Sequence, residues 1–223
     1  MKRSHSYNSE LYFSLSNSPI KIAIVGAGRA GEFHVESLSI NKQFKLSYVI
    51  DLDEDKAVEL SSKAECCYHT DLDWVLSNGE IDAVIICTTT PTHYSLSMKC
   101  LKEGKHIFCE KPFTNSLSKA EKIIRILKKK RNIANIVNYL FPEIDTWKLL
   151  KKILKNKKIV DTVKLEWRIR QKFKKKNWKF NHGKGGAVVY NFACHSVYNL
   201  EYLFGNIKIL NSKISYKTPN FPY

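Results

Sequence analysis

The feature that most constrains this chain is the apolar run Ile20 to Val25, which ends directly in three glycines, Gly26, Gly28 and Gly31, at G-x-G-x-x-G spacing. A short apolar run bounded by Pro19 and Gly26 reads as a buried strand, and the amphipathic segment Glu32 to Ile40 that follows reads as a helix. Each glycine answers a different demand. Gly26 permits the tight turn out of the strand, Gly28 has no Cβ to hold a diphosphate off the backbone, and Gly31 lets the helix pack closely. Arg29 and Ala30, between them, would lend the unpaired N–H groups of a helix start, where the helix dipole favours an anion. A second strand, Phe44 to Ile50, ends at Asp51. Asp51 stands about 20 residues past Gly31, the spacing of a carboxylate that accepts hydrogen bonds from an adenosine ribose. This predicts a dinucleotide site. Asp51 favours NAD over NADP, because a carboxylate repels a 2'-phosphate and the next residue, Leu52, is no arginine.

Strand and helix patterns then alternate. Helical periodicity covers Glu54 to Ser62, Cys66 to Tyr68 has the look of a short strand, and Asp71 to Ser77 reads as a short helix capped by Thr70 or Asp71. Ile81 to Cys87 is a continuous apolar run, as expected where both faces of a parallel sheet are covered. A helix over Thr92 to Glu103, closed by Gly104, leads to a strand over Lys105 to Cys109. Ser118 with Glu121 predicts a capping box for a helix running to about Lys130, and Ile133 to Val137 is the sixth strand. This is the pattern of a Rossmann-type doubly wound parallel sheet. Ligands bind beyond the carboxyl ends of such strands, which makes Thr88, Thr89, Glu110 and Lys111 candidate cofactor contacts. From Tyr139 onward the pattern changes to a helix over Glu143 to Lys155, a strand over Val160 to Ile169, and an apolar segment, Ala187 to Phe204, bearing Asn191, His195 and Tyr198. On a helix these last three share a face. Ile207 to Tyr216 reads as a further strand. The division expected is a loose tail over 1–19, a Rossmann domain over 20–138 and a shortened α/β (α+β) substrate domain over 139–223.

Composition narrows the class. With 223 residues, 43% hydrophobic and 26% charged, the chain can bury a proper core and is not of the disordered type. No apolar run approaches the roughly 18 residues of a membrane span. The polar, Ser-rich stretch Met1 to Ser18 lacks the apolar region of a signal peptide, so a cytoplasmic protein without membrane contact is expected. The six cysteines show no C-x-x-C and no metal-like spacing, and read as free thiols in a reducing compartment. Net charge is +16, from 37 Lys and Arg against 21 Asp and Glu. Much of it is scattered lysine on solvated faces. Its densest part, Arg168, Arg170, Lys172, Lys174, Lys175, Lys176 and Lys179 with Trp167, Phe173, Trp178 and Phe180 among them, could be a solvated loop, a contact for a diphosphate, or a nucleic-acid surface. The last is the least favoured, and no nucleic-acid partner is expected.

Taken together, Gly26-Ala27-Gly28-Arg29-Ala30-Gly31, Asp51, Thr90-Pro91-Thr92-His93-Tyr94, Gly104-Lys105-His106, Glu110-Lys111-Pro112, and Gly185-Gly186 leading to His195 resemble the glucose-fructose oxidoreductase, inositol dehydrogenase and rhizopine catabolism (Gfo/Idh/MocA) family of nicotinamide-dependent oxidoreductases. The resemblance implies an N-terminal NAD(P) domain and a C-terminal α/β domain whose sheet makes homodimer or tetramer contacts. It implies that Lys111 and His195 flank the reacting carbon of a sugar, with Lys111 hydrogen-bonding the reacting hydroxyl and His195 taking its proton. The place of His93 in its motif implies a cofactor contact. Asn191 and Tyr198 stand where aspartate is frequent. A subset associated with nucleotide-sugar and surface-polysaccharide synthesis is similar here, which points to a nucleotide-sugar substrate. Asn191 can orient a partner but cannot relay a proton, so a catalytically idle cofactor-binding protein is the alternative. Family members continue well past the length of this chain, which implies either a minimal substrate domain or a truncated product.

Overall fold

The computed structural model describes residues 18–155 and 192–211. Six strands, β1 (Ile20–Val25), β2 (Phe44–Ile50), β3 (Cys67–His69), β4 (Ala83–Ile86), β5 (His106–Cys109) and β6 (Asn135–Val137), form one sheet in the order β3-β2-β1-β4-β5-β6. Every neighbouring pair is parallel. The five helices between them are α1 (Arg29–Ser39), α2 (Glu54–Lys63), α3 (Leu72–Asn78), α4 (Thr90–Lys102) and α5 (Leu117–Lys129). A short 3-10 turn, Phe141–Glu143, and α6 (Asp145–Leu154) follow, and α7 (Cys194–Phe204) is the remaining described helix. The domain is thus the doubly wound parallel sheet that the alternating pattern predicts.

Strand periodicity decides which helices cover which face. Ile22 and Ile24 point to a cluster with Val35 of α1 and Leu60 of α2. Ala23 and Val25 point the other way, to Leu72 and Val75 of α3, Leu101 of α4 and Ile123 of α5. Both faces are therefore dry, and truncating a fully buried residue such as Ile24 to alanine would cost about 2–5 kcal/mol.

Register positions the site. Ile50, Val25, Ile86, Cys109 and Val137 are successive partners across five strands. The residues just beyond them, Asp51, Gly26, Cys87, Glu110 and Asn138, therefore emerge side by side along one edge. The order reverses between β1 and β4, which opens a crevice between their carboxyl ends.

Several boundaries differ from expectation. Helix α1 starts at Arg29, three residues early, because Gly28 is its N-cap. Asp71 caps α3, accepting a hydrogen bond from the Asp73 amide. The Ser118 and Glu121 capping box is not formed: Ser116 is the N-cap of α5, without a side-chain cap bond. Thr114 fixes that entry instead, its hydroxyl donating to the Ser116 carbonyl at 2.7 Å and accepting from the Ser116 amide at 3.2 Å, so Ser118 falls inside the helix. The described part of the expected strand Ile207 to Tyr216, residues 207–211, is not in a strand. Residues 1–17 of the N-terminal tail, the strand Val160 to Ile169, the basic cluster Arg168 to Lys179, Gly185, Gly186 and Asn191 lie outside the described residues.

Candidate active site

The three glycines separate into two kinds. At Gly26 φ is +105°, and a Cβ would lie 2.8 Å from the Cys87 carbonyl carbon. At Gly31 a Cβ would meet the Gly26 carbonyl oxygen at 2.3 Å. Packing within the protein requires glycine at both, the second because α1 presses on the turn itself. Gly28 is different: its backbone is extended, with φ −87°, and a Cβ there would meet nothing within 4 Å. The open space above it is where a diphosphate would lie. Gly28 caps α1 without a side chain, so the first N–H groups of the helix, at Arg29, Ala30 and Gly31, have no side-chain acceptor and face an anion's position. The residues present fit NAD.

Asp51 adjoins this turn. Its Oδ2 accepts from the Ala27 amide at 2.7 Å and its Oδ1 from the Asp53 amide at 3.0 Å. One lone pair on each oxygen is committed to shaping the loop, and the remaining lone pairs can accept from a ribose. Thr88 and Thr89 continue from β4; the Thr88 and Thr92 hydroxyls are bonded at 2.7 Å, and the Thr92 hydroxyl donates to the Thr89 carbonyl.

His93 lies beneath the crevice and not on its surface. It is 1% exposed, with Nδ1 2.9 Å from the Pro112 carbonyl and Nε2 3.0 Å from the Thr88 carbonyl. Burial pushes its pKa below the ordinary histidine value, against the two carbonyls, which favour the protonated ring. The ring joins the exit of β4 to the loop after β5, so it acts by holding Lys111's neighbour in place. A direct cofactor contact is not its geometry. His93, Ser97, Cys100 and Leu101 are all buried at helical spacing on α4, a stripe that would have placed His93 in the core.

Glu110 also points inward, its side chain 15% exposed. Oε1 accepts from His34 Nε2 at 3.0 Å and from Asn138 Nδ2 at 2.6 Å, and Oε2 from the Lys111 amide at 3.3 Å. Burial raises its pKa, but donation from His34 and Asn138 with the charge of Lys111 outweighs it, and the carboxyl stays below its usual range. Sequence reasoning missed His34 and Asn138. Asn138 could have been found as the first residue beyond a strand end.

Lys111 comes from the end of β5 and His195 from the first turn of α7. The His195 pKa is lowered first by burial and then by the ammonium charge of Lys111, with Glu110 opposing. The imidazole is walled by Tyr139 and Phe141, whose rings meet it edge-on at centroid distances of 6.0 and 5.5 Å. Tyr198 stacks on Tyr139 at 4.1 Å, so the residue standing where aspartate is frequent in the family serves as an aromatic backing. His195 Nδ1 is buried with no hydrogen-bond partner among the described residues, and both amide atoms of Asn199, one turn on, are in the same condition. At neutral pH the depressed His195 pKa keeps the ring neutral, the state a base requires.

All six cysteines are free thiols. Burial pushes Cys66 up to about 11 and Cys100 up to about 12. Among the described residues no helix is long and apolar enough to cross a membrane.

Comparison with known proteins agrees with the fold and with NAD as the coenzyme. Residues 20–139 match the model of an oxidoreductase family with an NAD-binding Rossmann fold, and residues 151–223 match that family's C-terminal alpha/beta domain. An uncharacterized oxidoreductase of Synechocystis is 24% identical over 90% of this chain and 56% of its own length. Myo-inositol 2-dehydrogenase of Thermotoga maritima is 34% identical over 49% of this chain and 33% of its own. The crystal structure of GenD2 from gentamicin A biosynthesis, in complex with NAD, superposes with a TM-score of 0.74 at 18% identity, over 84% of this chain and 54% of that one. The chain thus spans just over half the length of relatives matched along most of it. The dinucleotide turn, the parallel sheet and the two matched domains place the chain in the Gfo/Idh/MocA family of NAD-binding oxidoreductases.

Proposed function

We propose that the protein transfers a hydride between a nicotinamide coenzyme and a secondary hydroxyl or ketone of a cyclic polyol or sugar. The observation that carries this reading is the start of α1 without a side-chain cap, on the strand-end edge from which Lys111 follows β5. Oxidising an alcohol breaks a C–H bond and an O–H bond while a carbonyl forms. NAD, when bound, supplies the acceptor for the hydride. Neutral His195 takes the hydroxyl proton, and cationic Lys111 stabilises the negative charge developing on oxygen. Tyr139, Phe141 and Tyr198 exclude water from that proton transfer, while the Arg29 to Gly31 amides and Asp51 hold the coenzyme's diphosphate and ribose.

An inositol dehydrogenase among the relatives supports a ring polyol as substrate. The basic and aromatic segment Arg168 to Phe180 supports a narrower reading, a nucleotide-sugar used in surface polysaccharide synthesis, its diphosphate meeting the cations. Cytoplasmic location, supported by the free thiols, and homodimer or tetramer assembly through the second domain, supported by exposed Leu149 and Ile153 on α6, belong to the same proposal. The alternative, a family member that holds NAD without turning over, is favoured by one observation: His195 Nδ1 lacks an orienting partner among the described residues.

The test is NADH formation by purified protein offered myo-inositol, scyllo-inositol, free aldoses and UDP-sugars in turn. Turnover of one class, abolished in Lys111→Met, is the expected result. Coenzyme binding with no turnover across all classes would establish the idle alternative.

A further inference from the structure

We propose that His34 is a positioning residue for Lys111, acting with Asn138 through the buried carboxylate of Glu110; the inference rests on the coenzyme-linked role given to Lys111 above. Two strand ends and one helix meet at this carboxylate. His34, on α1, and Asn138, just past β6, both donate to Oε1, at 3.0 and 2.6 Å, while Oε2 takes the Lys111 amide at 3.3 Å. The group that fixes the peptide from which Lys111 projects is thus itself fixed from its opposite oxygen. Neither residue is placed to meet solvent first, since the His34 and Glu110 side chains are 16% and 15% exposed.

The His34 ring is held in turn. It meets Phe108 of β5 edge-on at 5.3 Å, so its Nε2 is aimed and not merely near. It lies one turn along α1 from Gly31, on the helix whose N-terminus would carry the diphosphate. Asn138, the second donor, directly precedes Tyr139, whose ring backs both His195 and Tyr198. One carboxylate therefore ties the middle of α1, the Lys111 peptide and the residue before Tyr139 to each other. Removing one donor leaves a buried anion underserved and free to turn about its side-chain torsions, and the Lys111 amide loses its fixed acceptor. The coenzyme seat itself, built from Gly26 to Gly31 and Asp51, makes no bond to this group and is not expected to change.

The experiment compares the full chain with His34→Leu and His34→Gln. NADH affinity is read by fluorescence titration, and the acetylation rate of Lys111 by acetic anhydride is read by peptide mass spectrometry with and without NADH. His34→Leu should bind NADH as the natural chain does, yet change the Lys111 labelling rate about tenfold, the weight of one hydrogen bond to a charged group. His34→Gln, which restores an N–H donor, should return that rate to the natural value. Unchanged Lys111 labelling in His34→Leu, or failure of His34→Gln to restore it, would overturn the inference while leaving the coenzyme site intact. Failure of the natural chain to bind NADH would overturn the site reading and this inference with it. Should His34→Leu fail to fold, Asn138→Ser, which weakens the other bond to the same oxygen, carries the same prediction.

Discussion

The two ends of the crevice are made differently. The end that would take the diphosphate and ribose comes from one contiguous stretch, Gly26 to Asp51, and consists of backbone amides, a turn at positive φ and one carboxylate. The end proposed for the reaction consists of side chains, Lys111, His195, Tyr139 and Phe141, delivered by three separate segments. Backbone geometry is specified by what a residue lacks, and side-chain geometry by what neighbours do. Damage at the first end should therefore appear in affinity or folding, and damage at the second in turnover.

The sharpest way to break that contrast is at the reacting end. Lys111→Met is expected to lower turnover about a thousandfold and leave NAD affinity near that of the natural chain; steady-state kinetics with a binding titration checks both, and a parallel loss of affinity would dissolve the distinction. Gly31→Ala tests the other end. With a Cβ 2.3 Å from the Gly26 carbonyl oxygen, it should destabilise the domain by about 1–3 kcal/mol, read from urea unfolding.

A smaller effect is expected from His93. Its folded-state pKa lies below the ordinary 6.5, so on acidification the unfolded chain binds a proton that the folded one refuses. The stability this contributes is fully present above 6.5 and falls as pH drops towards the folded value. Melting temperatures taken from about pH 7.5 to about pH 5 should decline, and less steeply in His93→Gln. Glu110 adds a loss of the same sign lower down, below the ordinary 4.5. The smallest shift is that of His195 in Lys111→Met: with the ammonium gone its pKa should rise towards 6.5, which histidine ring resonances would follow.

The same contrast decides what could be read before any coordinates. The six strands and the glycine turn were legible because each is encoded within a few residues, by apolar continuity and by a missing Cβ. The role proposed for Lys111 was legible only through a motif. Glu110 gave no sign of pointing inward, because its three donors come from α1, its own chain neighbour and the end of β6, brought together by register and not by spacing. Tyr139 and Phe141 belong to no motif; their place just beyond the last strand carries the information. Ser118 misled because its hydroxyl and Glu121 have capping-box spacing, while Thr114, two residues ahead of the true cap, closes the entry.

Gly28 tests the central claim most directly, since nothing within the protein requires glycine there. Serine is a good N-cap and fits the extended backbone, so Gly28→Ser should fold with stability equal to or above that of the natural chain. Its side chain would occupy the space kept for a diphosphate, and calorimetric titration should show NAD binding weakened by at least about tenfold, a loss of roughly 1.4 kcal/mol. Undiminished NAD binding in a well-folded Gly28→Ser would contradict the placement of the coenzyme at this turn.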